Sequence, residues 1–260
     1  VTDWGADLAL AQAMADAADA ITTRRFRATD LLIDSKPDLT PVTDADRAVE
    51  QGVRERLERD RPADAILGEE YGQVGSGDRR WIVDPIDGTK NFVRGAPVWA
   101  TLVALQVEER TVVGVVSAPA LGRRWWAAEG GGAWAGTSTA DAQACRVSAV
   151  ADLGDAFLAY SSLTGWEQRG RLDAFLDLTR RVWRTRGFGD FWSHMLVAEG
   201  SVDVSCEPEL SLWDLAALQV IVTEAGGRFT DLTGIDRTDG GNIVCSNGLL
   251  HDEVLATLSP

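Results

Sequence analysis

Residues 81–89 read W-I-V-D-P-I-D-G-T, and this stretch constrains the chain more than any other. Three apolar, strand-prone residues run straight into Asp84, Pro85, Ile86 and Asp87, so a buried strand must end on two carboxylates set three residues apart. Carboxylates held close together repel, and taking them out of water is unfavourable unless something positive lies between them. The fold must therefore open this turn to solvent or bring a cation to it. Pro85 stiffens the turn so that both carboxylates and the Ile86 carbonyl can face one way. Gly88 and Thr89 follow with unhindered backbone N–H groups of the kind that cradle phosphate. On this stretch alone, a metal and phosphate site and a solvated turn stay equally open.

The remaining composition says which cation is available. His194 and His251 are the only histidines, which excludes a multi-histidine metal site. Cys145, Cys206 and Cys245 are odd in number, far apart and without a C-x-x-C pair, so they read as buried small hydrophobes rather than disulfides or a zinc knuckle. A metal bound here would be bound by oxygen. The formal charge of −15, from 40 acidic against 25 basic residues, excludes a broad nucleic-acid surface, and an anionic substrate would need local help. No run approaches the ~20 apolar residues of a membrane helix. The N-terminal V-T-D-W-G-A-D lacks the basic and apolar regions of a signal peptide, so a cytoplasmic protein without membrane or nucleic-acid partners is expected.

Leu8, Ala11, Met14 or Ala15, Ala18 and Ile21 recur at helical spacing and predict a first helix ending near Arg24 to Phe26. After the loop S-K-P-D-L-T-P-V, Thr43 with Asp46 three residues on resembles a capping box, and Ala45, Val49, Val53 and Leu57 form one face of a second helix with Asp44 in its first turn. From Ala65 short apolar runs take over: A-I-L, W-I-V, V-W-A-T-L-V-A-L-Q-V, T-V-V-G-V-V-S-A and R-R-W-W-A-A, which predict a sizeable sheet. The second half alternates helices around Leu172 to Arg180, after Gly189 and from Trp213 to Ala225 with strands at V-W-R-T-R-G-F, V-D-V-S-C and G-R-F-T-D-L. No repeat or flexible linker interrupts the chain. It reads as one compact catalytic unit, 1–260, divisible into 1–140 with the metal and phosphate loops and 141–260 with the substrate wall and the Asp214 helix.

Three acidic sites fall at strand ends or helix starts, where rigid scaffolds display functional groups. They are G-E-E after A-I-L, D-P-I-D-G-T after W-I-V, and Asp214 in the first turn of W-D-L-A-A-L. Brought together, Glu69, Asp84, Asp87 and Asp214 would repel without a cation, whereas Mg²⁺ favours octahedral ligation by such oxygens.

Taken in order, P-V-T-D-A-D, G-E-E, W-I-V-D-P-I-D-G-T-x-N-F and W-D-L-A-A-L-x-x-x-x-E-A-G-G resemble the inositol monophosphatase family of Mg²⁺-dependent phosphomonoesterases, and they span nearly the whole chain. The resemblance implies an α+β fold, the layered α-β-α-β-α sandwich of the inositol monophosphatase and fructose-1,6-bisphosphatase type. It implies two to three Mg²⁺ ions: Glu69, Asp84 and the Ile86 carbonyl on one, Asp84, Asp87 and Asp214 on another, and a weaker third on Glu69 and water. Thr89, with Asp44 behind it, would orient and deprotonate the attacking water, with Glu69 also in the catalytic set. Gly88 and Thr89 N–H groups would hold the phosphate, and a homodimer is expected from the same resemblance.

Within the family, the substrate wall falls in R-T-R-G-F-G-D-F-W and at Glu207, seven residues before Asp214. Asp190 and Glu207 would face the leaving group with two anions, which suits a cationic amino alcohol better than a neutral polyol. This resembles the histidinol-phosphate phosphatases of the actinobacterial type, and implies hydrolysis of L-histidinol phosphate in histidine biosynthesis. An inositol-1-phosphate phosphatase and a catalytically silent regulator of the same fold are the alternatives. Asp190 also suits a helix N-cap. Arg186 would touch substrate or pair with Glu207 or Asp190, Trp125 and Trp126 read as core, and neither histidine is given a role.

Overall fold

In a computed structural model that describes residues 3–259, the Ala-rich periodicity becomes α1 (Gly5–Arg25), which buries Leu10, Ala11, Met14, Ala15 and Ala18. Val1 and Thr2, the start of the stretch read for a leader, lie outside the described residues. The proline-containing loop is in fact a hairpin, β1 (Ile33–Ser35) and β2 (Pro41–Thr43), closed where Lys36 N donates to the Thr40 carbonyl at 2.8 Å. Thr43 then caps α2 (Asp44–Asp60) in a full capping box with Asp46, and Ala45, Val49, Val53 and Leu57 are buried.

The first sheet follows: β3 (Ala65–Gly68), β4 (Gly72–Val74) and β5 (Arg79–Asp87), then the short helix α3 (Thr89–Arg94). It continues with β6 (Ala100–Val107), β7 (Arg110–Ala118), β8 (Arg123–Ala128), β9 (Ala133–Gly136) and β10 (Gln143–Ala144). The eight strands lie in the order β10-β9-β8-β7-β6-β5-β3-β4, antiparallel except for β3 against β5. β5 ends on the two carboxylates, as the apolar run followed by D-P-I-D predicts. It runs on to Asp87 with a shift of register between Asp84 and Asp87. Pro85 has no N–H to give the ladder, and its carbonyl instead accepts from Thr101 Oγ1 at 2.8 Å.

The second half supplies β11 (Phe157–Ala159), α4 (Thr164–Gln168), α5 (Leu172–Arg181), β12 (Arg184–Arg186) and α6 (Asp190–Ala198). After these come β13 (Val204–Glu207), α7 (Leu212–Glu224), β14 (Arg228–Thr230), β15 (Ile243–Ser246) and α8 (His251–Leu258). The second sheet has the order β12-β11-β13-β15-β14. β15 and α8 were not read from sequence, and the strand expected from Val182 begins only at Arg184, leaving Trp183 68% exposed.

α1 and α2 pack on one face of the large sheet, α6 and α7 between the two sheets, and α5 and α8 on the outer face, giving the α-β-α-β-α sandwich. α7 buries Leu215, Ala216, Ala217, Leu218, Val220, Ile221 and Val222, as befits a helix held between two sheets, and Gln219, Thr223 and Glu224 bring polar side chains to the surface. Its axis comes so close to β7 that a Cβ on Gly114 would sit 2.6 Å from the Ala217 carbonyl oxygen. One buried cluster runs from Ile82 and Leu102 through α7 to Phe229 and Ile243, so both sheets share a core. Among the described residues no helix is long and apolar enough to cross a membrane.

Candidate active site

The irregularity in β5 delivers Asp84 and Asp87 to the same side, and the first turn of α7 brings Asp214 to meet them. One carboxylate oxygen from each of the three lies within 4.8 Å of the others. Asp87 Oδ2 accepts the Phe191 N–H at 2.7 Å at the start of α6, and Asp214 Oδ2 accepts the Ser211 N–H at 2.7 Å in a capping box. These bonds aim each carboxylate but leave oxygens over. Asp84 Oδ1 is buried with no hydrogen-bond partner.

Burial pushes Asp84 well above the usual carboxylate range, and Glu69, Asp87 and Asp214 push it further. Burial does the same to Asp87, reinforced by Asp190 and Asp214. Asp214 is pushed up to about 7, chiefly by burial. An orphaned oxygen among mutually repelling, acceptor-only groups fits a divalent, oxygen-seeking cation.

Glu69 follows β3, its N–H bonded to the Val83 carbonyl at 3.2 Å, and stands beside Asp84. Its Oε1 is paired at 2.7 Å with Lys36 Nζ, from the tip of the β1–β2 hairpin, which also reaches Glu70 Oε1 at 2.7 Å. The turn itself rests on fully buried Glu50, which accepts the Glu70 and Tyr71 N–H groups at 2.7 and 3.1 Å. Gly68 leaves room for that carboxylate, since a Cβ there would sit 2.0 Å from Glu50 Oε1. Neither Lys36 nor Glu50 was read from sequence, although a glutamate beside Val49 on the apolar face of α2 is the signal that could have found Glu50.

Thr89 Oγ1 lies 2.9 Å from the Ile86 carbonyl oxygen and 3.5 Å from Asp46 Oδ1. The expected partner Asp44 is not there: its Oδ2 is tied to Arg25 at 2.7 Å. Asp46 takes the place because N3 of a capping box turns its carboxylate back under the helix start, whereas Asp44 at N1 is turned toward Arg25. Burial pushes Asp46 up to about 6, against its bonds from Thr43.

Asp190 and Glu207 line the same cleft of about 1060 Å³ as Glu69, Asp87, Gly88, Thr89 and Asp214. Asp190 is not the N-cap of α6. That position belongs to Gly189, and the Asp190 carboxylate accepts from Asn91 Nδ2 at 2.7 Å. Its backbone is left-handed, φ 48°, a region that aspartate tolerates better than most residues. Burial pushes Asp190 up to about 6, with Glu207 adding to it. Arg186 is a further correction: it is exposed, its Nη1 bonds to the Thr185 carbonyl, and it does not line the cleft. β12 is an edge strand of three residues, and Arg186 stands on its outer end. His194, given no role from sequence, bonds Glu207 Oε1 through Nε2 at 3.1 Å.

Residues 6–260 match the inositol monophosphatase family. A histidinol-phosphatase of Streptomyces coelicolor is 59% identical over 99% of this chain and 98% of its own length. One of Mycobacterium tuberculosis is 59% identical over 97% of this chain and 98% of its own. Among solved structures, an inositol monophosphatase from Zymomonas mobilis superposes with a TM-score of 0.87 at 31% identity, covering 99% of each chain.

Proposed function

The chain belongs to the inositol monophosphatase family, and we propose that it is a Mg²⁺-dependent phosphomonoesterase that converts L-histidinol phosphate to L-histidinol and phosphate. The observation that carries the substrate reading is the pair Asp190, half-buried, and Glu207, buried, two carboxylates lining the same cleft as the metal-type cluster. Glu69, Asp84 and the Ile86 carbonyl would hold one Mg²⁺, Asp84, Asp87 and Asp214 a second, and Glu69 a weaker third. Bound Mg²⁺ supplies charge that steadies the attacking and leaving oxygens and makes a water easier to deprotonate.

The chain's own residues do the rest. Thr89 Oγ1 gives its hydrogen to the Ile86 carbonyl at 2.9 Å; with that carbonyl engaged as a ligand, the hydroxyl would turn to Asp46 Oδ1, 3.5 Å away, accept from the attacking water and relay the proton to Asp46. Gly88 and Thr89 N–H groups, at the start of α3, hold the phosphate. Asp190 and Glu207 receive the ammonium group of the leaving alcohol. The expected homodimer and a cytoplasmic location belong to the same proposal; sedimentation at micromolar concentration tests the first.

A charge-assisted hydrogen bond is worth ~1.5–3 kcal/mol, and 1.4 kcal/mol is one decade, so two such contacts predict a preference of at least ~10²-fold. The test is kcat/KM for L-histidinol phosphate against inositol 1-phosphate, which offers only neutral hydroxyls. Asp190→Asn and Glu207→Gln should each narrow that ratio by hurting the cationic substrate most. Equal turnover of both substrates by the wild type would leave only a phosphatase of this family.

A further inference from the structure

Asp190 and His194 are four residues apart on α6, so both side chains fall on the face that lines the cleft, while Phe191 and Met195 enter the core behind it. Glu207 comes to the same place from the end of β13. Its side chain is 8% exposed and that of His194 is 1% exposed.

His194 Nε2 lies 3.1 Å from Glu207 Oε1, the one hydrogen bond of the Glu207 side chain among the described residues. A carboxylate can only accept, so Nε2 carries the hydrogen. The other ring nitrogen, Nδ1, is buried and bonds to nothing among the described residues. The imidazole therefore makes a single polar contact, and that contact is Glu207. An apolar side chain would fill this buried position as well if packing were all it had to do.

Glutamate has three rotatable bonds, and one oxygen held from behind fixes the direction of the other. We propose that His194 is a positioning residue that holds Glu207 as the ammonium-recognising carboxylate, and so sets the preference for a cationic over a neutral leaving group. This rests on the substrate reading above. His194 does not touch the reacting atoms.

Two polar substitutions separate position from packing. In His194→Gln the amide nitrogen falls near the place of Nε2 and can still reach Glu207; in His194→Asn it falls near Nδ1 and cannot. Both variants, Glu207→Gln and the double variant His194→Asn/Glu207→Gln are assayed with L-histidinol phosphate and inositol 1-phosphate, with thermal melts to confirm folding. His194→Asn should raise KM for L-histidinol phosphate about tenfold, the loss of roughly one charge-assisted bond, with a much smaller change in kcat. His194→Gln should recover most of the wild-type ratio between the two substrates. In the Glu207→Gln background, His194→Asn should add little, because its effect runs through the carboxylate. If His194→Asn does not fold, His194→Leu serves for the same comparison. Equal behaviour of the Asn and Gln variants, equal losses on both substrates, or additive losses in the double variant overturn the assignment. A wild type without preference for L-histidinol phosphate overturns the substrate reading first and this inference with it, whereas a wild-type preference that His194→Asn leaves intact overturns this inference alone.

Discussion

Asp44 and Asp46 sit in the same turn of the same helix and do different work. Asp44 is half-buried and bound to Arg25, whereas Asp46 is fully buried, closes the capping box with Thr43 and reaches Thr89. If Asp46 takes the proton passed by Thr89, Asp46→Asn should lower kcat by ~10²–10⁴, the usual worth of a positioned acid or base. Asp44→Asn should change kcat by no more than about threefold, because the part-buried Arg25–Asp44 pair stands apart from Thr89 and its loss acts on stability. Steady-state assays at saturating Mg²⁺ check both; the opposite order of sensitivity would return the role to Asp44.

The elements that carry the site are held by close contacts rather than by length. α7 brings Asp214 to the cluster and lies against β7 at Gly114, where no side chain fits. Gly114→Ala should therefore destabilise the protein by about 1–3 kcal/mol through overpacking, lowering Tm by several degrees. Gly52 provides the opposite sign, since it is exposed on α2 and a Cβ there meets nothing within 4 Å. Gly52→Ala should gain about 0.5–1 kcal/mol from helix propensity. Differential scanning calorimetry reads both, and a Tm that rises for Gly114→Ala would mean that β7 and α7 can part without cost.

Across the whole molecule, the carboxylate cluster joins the large sheet, through Asp84 and Asp87, to the helical layer, through Asp214. Their folded pKa values are raised above the ordinary 3.8, Asp214 to about 7 and Asp84 and Asp87 well above the usual range, by burial and mutual repulsion. The folded state thus binds more protons than the unfolded chain, so stability of the metal-free protein falls as pH rises through this range. His251 acts the other way: burial between Thr230 and Ser246 lowers it to about 4, so its contribution is lost as pH falls from 6.5. Between pH 6.5 and 8 the carboxylates act alone of these two groups. In EDTA, Tm should fall across that interval, and the gain in Tm on adding Mg²⁺ should grow, since the cation there replaces fewer protons; at 100 times its Kd a ligand adds ~2.7 kcal/mol. A Mg²⁺ shift that does not depend on pH would separate the cluster from the metal.

Much of this protein was legible in its residues one stretch at a time. The capping box at Thr43, the strand texture after Ala65 and the apolar helix around Asp214 are local, because side-chain period and the bonding of helix ends depend on neighbours three or four residues away. The ordered motifs also carried the family and the layered fold. What the sequence could not settle was which way a side chain points once two distant segments meet. Asp46 rather than Asp44 beside Thr89, Asp87 on the Phe191 N–H, Arg186 turned away from the cleft and His194 against Glu207 all depend on contacts between residues 13 to 104 positions apart, or on their absence. Local propensity is blind to those contacts: the seating of α2 and α3 beside β2, and of α6 and α7 between the two sheets, creates them, and burial there makes a single unpaired carboxylate oxygen costly enough to define a site.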